Sequence, residues 1–149
     1  MLTTTKTGKT GAKAKKTAAK AKPADAITDF QLIYRRLREI FSQFTPPLTV
    51  TADVQGRYET VSKKDLVVSG RKLTEMCFGG VVIWKNFVGL YFFPIYTHPQ
   101  SFTGLPDEVK KCLKGKSCFN VKKADDKLFR QIEKMAKQGF KLYKQEKWI

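Results

Sequence analysis

Large apolar residues recur at every third or fourth position from Ile27 to Phe44: Ile27, Phe30, Ile33, Tyr34, Leu37, Ile40, Phe41 and Phe44. This spacing puts them on one stripe of a helix. Asp25 or Thr28 is placed to cap it, Arg35, Arg36, Arg38 and Glu39 fall on the opposite face, and Pro46-Pro47 forbids its continuation. From Tyr58 the period changes. "YETVS" and "DLVVS" are short runs of strand-forming residues, and "MCFGGVVIWKNFVGLYFFPIY" is dense in branched and aromatic side chains, interrupted by Gly79-Gly80 and Asn86. Within it, residues 81–85 and 88–93 predict the arms of an antiparallel hairpin that turns at Lys85-Asn86-Phe87 and ends at Pro94. Both arms are apolar at nearly every position, which predicts a central hairpin covered on both faces. Beyond a loop holding His98-Pro99, the pattern predicts a short helix over 106–113 and a strand over 117–121. A last helix starts near Asp125-Asp126, with Leu128, Phe129, Ile132, Met135, Ala136, Phe140 and Tyr143 as its stripe. The fold class is therefore α+β: an antiparallel sheet of four to five strands packed by an N-terminal helix and two C-terminal helices.

Charge divides the chain. Among its 149 residues and formal net charge of +16, residues 1–24 carry Lys6, Lys9, Lys13, Lys15, Lys16, Lys20 and Lys22 and no acid. They also hold no aromatic side chain, so they bury too little to offset chain entropy and are expected to form a disordered basic tail ahead of a single domain over 25–149. That domain keeps 22 basic against 13 acidic residues, a net of +9. The tail suits nonspecific nucleic-acid binding, because its lysines can neutralise phosphates; deleting it would then lower the salt slope on duplex DNA by about 6 units, and an unchanged slope would dismiss the idea. No stretch reads as a signal peptide or a membrane span. With three cysteines, Cys77, Cys112 and Cys118, and no C-x-x-C pair, a cytoplasmic, reducing setting is expected.

Candidate chemistry centres on "LKGKSCFNVKK". Gly115-Lys116-Ser117 has the ending of a phosphate-binding loop, yet the glycine required five positions earlier is Lys110, and the flanking order is helix then strand rather than strand then helix. A helix stop with Gly115 as a left-handed residue is the simpler account. If the segment pairs beside the hairpin, Lys85, Lys114, Lys116, Ser117 and Asn120 converge near Tyr96 and offer ammonium, hydroxyl and amide donors to an anionic small molecule or acidic protein. The aromatic set Phe78, Trp84, Phe87, Tyr91, Phe92 and Phe93 could stack bases but reads first as core. Trp148 and the C-terminal lysines could extend a basic surface. His98, the single histidine, reads as a solvated loop residue, Cys112 as a buried thiol, and Cys118 as the better reactive candidate. No nucleophile–base pair or metal-ligand spacing is found, so neither catalytic residues, nor a metal, nor a cofactor is expected.

Two marks carry a family resemblance: the Lys-x-x-Val hairpin with its Pro-x-Tyr exit, here Lys85, Val88, Pro94 and Tyr96, and the Lys-Gly-Lys-Ser-Cys-Phe segment, residues 114–119. From about Phe30 to Tyr143 the chain resembles the YdhG-like family of small bacterial domains of unknown function, some of which are labelled frataxin-like iron chaperones. The resemblance implies an α+β fold with a curved antiparallel sheet and brings no catalytic residues. Iron chaperoning would require clustered carboxylates. The adjacent acids here, Asp107-Glu108 and Asp125-Asp126, are both explained by helix starts.

Overall fold

In a computed structural model that describes residues 29–149, the first apolar stripe forms a helix, α1, over 29–42. The tail lysines, Ile27 and the capping candidates Asp25 and Thr28 lie outside the described residues. Ile33, Leu37 and Phe41 of α1 are fully buried. Its polar face is more than solvated surface. Arg36 donates to Asp126 at 2.8 Å and lies 4.7 Å from the Phe129 ring centre, while Arg38 grips the Asp53 carboxylate and lies 4.9 Å from the Tyr58 ring. Cation and ring attract at such distances, so these arginines fasten α1 to the elements beside it.

Seven strands follow: β1 Thr49–Val54, β2 Arg57–Ser62, β3 Leu66–Val68, β4 Arg71–Leu73, β5 Met76–Ile83, β6 Val88–Phe92 and β7 Cys118–Val121. Five form one antiparallel sheet in the order β1-β2-β5-β6-β7, and β3 with β4 makes a separate small hairpin. After β6 come α2 (Pro94–Thr97), a 3₁₀ turn (Pro99–Phe102), α3 (Asp107–Cys112) and, after β7, the long α4 (Asp126–Gln145). Asp125 caps α4 by accepting the Lys127 N–H at 2.9 Å. The α+β architecture is the one the pattern predicts, but its parts need correcting. β1 carries no run of large apolar residues and escapes a hydropathy reading, since it is an edge strand with four of six positions exposed. "DLVVS" leaves the main sheet because Ser69 and Gly70 both take positive φ (52° and 79°) and fold it back on Arg71–Leu73.

β5 begins at Met76, five residues before the predicted arm, and Gly79-Gly80 lie inside it rather than interrupting it. A register shift between β2 and β5 leaves Phe78 as an extra residue, and both Phe78 and Gly79 face α1. The Phe41 ring lies against Gly79 so closely that an added Cβ would stand 2.5 Å from it. Around this contact Phe41, Phe44, Phe78, Phe92, Phe140 and Tyr143 form an aromatic centre, mostly edge-to-face, with centroids 4.8–6.5 Å apart.

α1 and α4 cover one face of the sheet; the expectation of cover on both faces is not met. Val88, Leu90 and Phe92 of β6 point inward and are fully buried, whereas Tyr91 between them and Phe93 just past the strand stay partly open, and Trp84 is 46% exposed. Phe78 and Phe92 are thus core and Phe93 packs against it partly buried, while Trp84, Phe87 and Tyr91 lie outside it.

The C-terminus is corrected as well. Lys147 has φ 63°, which turns the chain so that the Trp148 N–H reaches the Tyr143 carbonyl at 2.9 Å. Trp148 is buried edge-on against Tyr143, with Ser62 donating to its carbonyl, and is no part of an outer basic surface. His98 packs tilted against its ring at 5.4 Å and contacts Glu146 at 3.2 Å, so this histidine is a clasp rather than a solvated loop residue.

Candidate functional site

Two prolines shape the candidate site. Pro94 starts α2 and Pro99 the 3₁₀ turn, each supplying the fixed φ suited to a first helical position. The short turns bring Ile95 and Phe102 inward and leave Tyr96, 51% exposed, on the outside. Opposite them, α3 ends at Cys112 and Leu113 is extended, bridging to Phe119; the Lys114 N–H then donates to the Cys118 carbonyl at 2.8 Å. Residues 114–117 therefore form a tight loop closing a small hairpin. Gly115 is not left-handed, since among the described glycines only Gly56 and Gly70 take positive φ, and the helix ends through the extended Leu113 instead.

Between these walls lies an open cleft of about 700 Å³. Ile95, Phe102, Leu105 and Leu113 give it an apolar floor, Lys110 and Lys116 stand at its rim, and no carboxylate lines it. Lys116 Nζ is 5.8 Å from the centre of the Tyr96 ring, which holds the ammonium over the mouth. An apolar floor with cations at one rim and no acid fits a ligand with an apolar body and an anionic head.

Of the sequence candidates, Tyr96 and Lys116 meet in this cleft, and Lys114 lies in the same loop. Lys85 does not join them. Val88 pairs with Val121 and Tyr91 with Cys118, so the Lys85 turn and the Lys116 loop lie at opposite ends of the β6–β7 ladder. Ser117 lines a second depression, of about 500 Å³, on the uncovered face of the sheet, and Asn120 pairs there with Gly89. The wall and the second rim lysine went unread in the sequence. Their signal was the spacing of Lys110 and Leu113, three apart and so on one side of the helix expected over 106–113, although Leu113 itself is extended in the structure.

The cysteines are free. Crowding in the second depression, with the Glu59 and Glu75 carboxylates, pushes the Cys77 thiol up to about 11, although one side of the residue is open to solvent. Burial raises Cys112 too, against an opposing pull from Lys114, and its sulfur contacts the Glu108 carbonyl at 3.4 Å. Among the described residues no three His, Cys, Asp or Glu side chains are grouped to hold a metal ion, and no helix is long and apolar enough to cross a membrane. Compared with known protein families, curated proteins and solved structures, the chain matches none of them.

Proposed function

We propose that this chain is a non-enzymatic, cytoplasmic binding domain of the YdhG-like type, whose cleft takes a small amphipathic anion. The observation that carries this reading is the acid-free apolar cleft with Lys110 and Lys116 on its rim. Three free cysteines support a reducing compartment. The iron-chaperone alternative gains no support, because the described residues offer no grouped set of hard ligands.

Octanoate is a suitable probe, with octanol as the uncharged control. At ten times its dissociation constant octanoate stabilises the fold by about 1.4 kcal/mol. For a body of this size that is a rise in Tm of about 5 °C. Lys110→Glu combined with Lys116→Glu abolishes the shift, and both positions are exposed, so the fold survives. A panel of octanoate, dodecanoate and phenyl phosphate that leaves Tm unmoved up to about 10 mM, where even a millimolar site is mostly filled, would refute the proposal.

A further inference from the structure

The uncovered face of the sheet carries a second arrangement. Outward on β5 stand Gly80 and Val82, paired with Tyr91 and Gly89 of β6, and Trp84 and Phe93, each just past the end of its strand, line the same depression. The Trp84 indole lies on the backbone of Gly89, where a Cβ would come within 2.9 Å of Nε1, and that Nε1 donates to the Tyr91 hydroxyl at 2.9 Å. The Nε1–Cδ1 side of the indole thus sits in the space a side chain at Gly89 would need, while Trp84 remains 46% exposed. Phe93, the first residue past β6, lines the same depression, its ring centre 5.3 Å from that of Tyr96.

The flank beside this row is strongly basic. Residues 109–123, which contain the edge strand β7, include six lysines and no acid. Lys114 and Lys116 stand at one end of β7, Lys122 and Lys123 at the other, all exposed, and Lys85 lies in the turn at the Trp84 end. The acid nearest the row, Glu59, is held by Arg57 Nε at 2.7 Å. Asn120 stands between the two lysine pairs, paired with Gly89, and presents an amide. Aromatic rings beside a lysine-lined edge answer to two features of one polymer: bases with π faces and phosphates at regular intervals.

We infer that this face binds single-stranded nucleic acid, with bases stacking on Trp84, Tyr91 and Phe93 and phosphates following the lysines that flank β7. An acidic peptide would satisfy the lysines and leave the rings without a function. Duplex DNA would satisfy the lysines and keep its bases stacked out of reach.

The test uses the full chain and a fluorescein-labelled oligo(dT) of about one sheet's length, followed by anisotropy, with duplex DNA, heparin and poly-glutamate as competitors. Loss of one stacked base weakens binding about 5- to 150-fold, which is the effect expected of Trp84→Ala on oligo(dT) but not on heparin. Trp84→Phe keeps most of the affinity, and oligo(dT) quenches tryptophan fluorescence through the exposed Trp84, Trp148 being buried. Lys122→Glu with Lys123→Glu lowers the salt slope by about 1.4 units. Octanoate binding in the cleft is unchanged in Trp84→Ala, so failure here and failure of the cleft reading are separable. The inference is overturned if Trp84→Ala and Phe93→Ala both leave oligo(dT) affinity unchanged. It is equally overturned if they weaken heparin just as much, or if poly-glutamate or duplex DNA competes as well as single strands.

Discussion

Gly139 on α4 offers the sharpest check on how the helices hold the cleft. A Cβ at this position would stand 2.5 Å from Cζ of Phe92 and 2.8 and 2.9 Å from the ring carbons of Pro94. Neither neighbour yields easily: Phe92 is fully buried, and Pro94 is a rigid ring that begins α2, the element carrying Ile95 and Tyr96 into the cleft wall. Overpacking of a filled core costs about 1–3 kcal/mol, and three sub-3 Å contacts with ring atoms put Gly139→Ala at the upper end. Alanine returns about 1 kcal/mol in helix propensity. The balance is a destabilisation of about 2 kcal/mol. At about 2.1 cal/mol/K per residue over the described body, that corresponds to a Tm about 8 °C lower. Differential scanning calorimetry measures it, with Gly115→Ala as control, because a Cβ there meets nothing within 4 Å and the backbone is not left-handed. A Gly139→Ala protein melting at or above the parent, with Gly115→Ala also neutral, would refute the close approach of α4 to the start of α2.

The clasp at the chain end makes a second prediction. Trp148→Ala removes a side chain whose ring centre lies 5.0 Å from that of Tyr143 and 5.4 Å from that of His98, and urea unfolding should show a loss of about 3 kcal/mol; a loss below about 0.5 kcal/mol would mean the clasp is not closed in solution. Cys77 supplies the pH dependence. Its thiol is raised to about 11, so the nucleophilic thiolate is scarce at neutral pH and its fraction grows about tenfold per pH unit until the pH nears that value. Iodoacetamide labelling followed by peptide mass spectrometry should show that rise, and a rate levelling off near pH 8 would contradict the assignment.

Helix placement was legible because the stripes of α1 and α4 keep a period of three and four through to their buried residues, Ile33, Leu37 and Phe41 in one and Leu128, Ile132 and Met135 in the other. The hairpin was legible for a related reason: a run of branched and aromatic residues broken at Lys85-Asn86 has few other ways to pair. Three features were not. β1 is written in threonine, alanine and valine because an edge strand with most positions exposed needs little else. The end of α3 was misjudged because Gly115 could serve as a left-handed stop, whereas the Leu113 to Phe119 bridge decides the matter through a contact that local sequence does not encode. The coverage of the hairpin was misjudged because hydropathy does not distinguish an apolar residue under a helix from one in a shallow depression. A count of layers could have corrected it. Two long amphipathic helices suffice for one face of a five-stranded sheet, so half of the apolar positions in "VVIWKNFVGLYFF" had to face something other than this chain's long helices. Glycine is what makes that open face usable. Gly79, which reads as a break in the strand, lets Phe41 approach from inside, while Gly89 leaves room for the Trp84 indole outside, so missing side chains make both the core contact and the aromatic row.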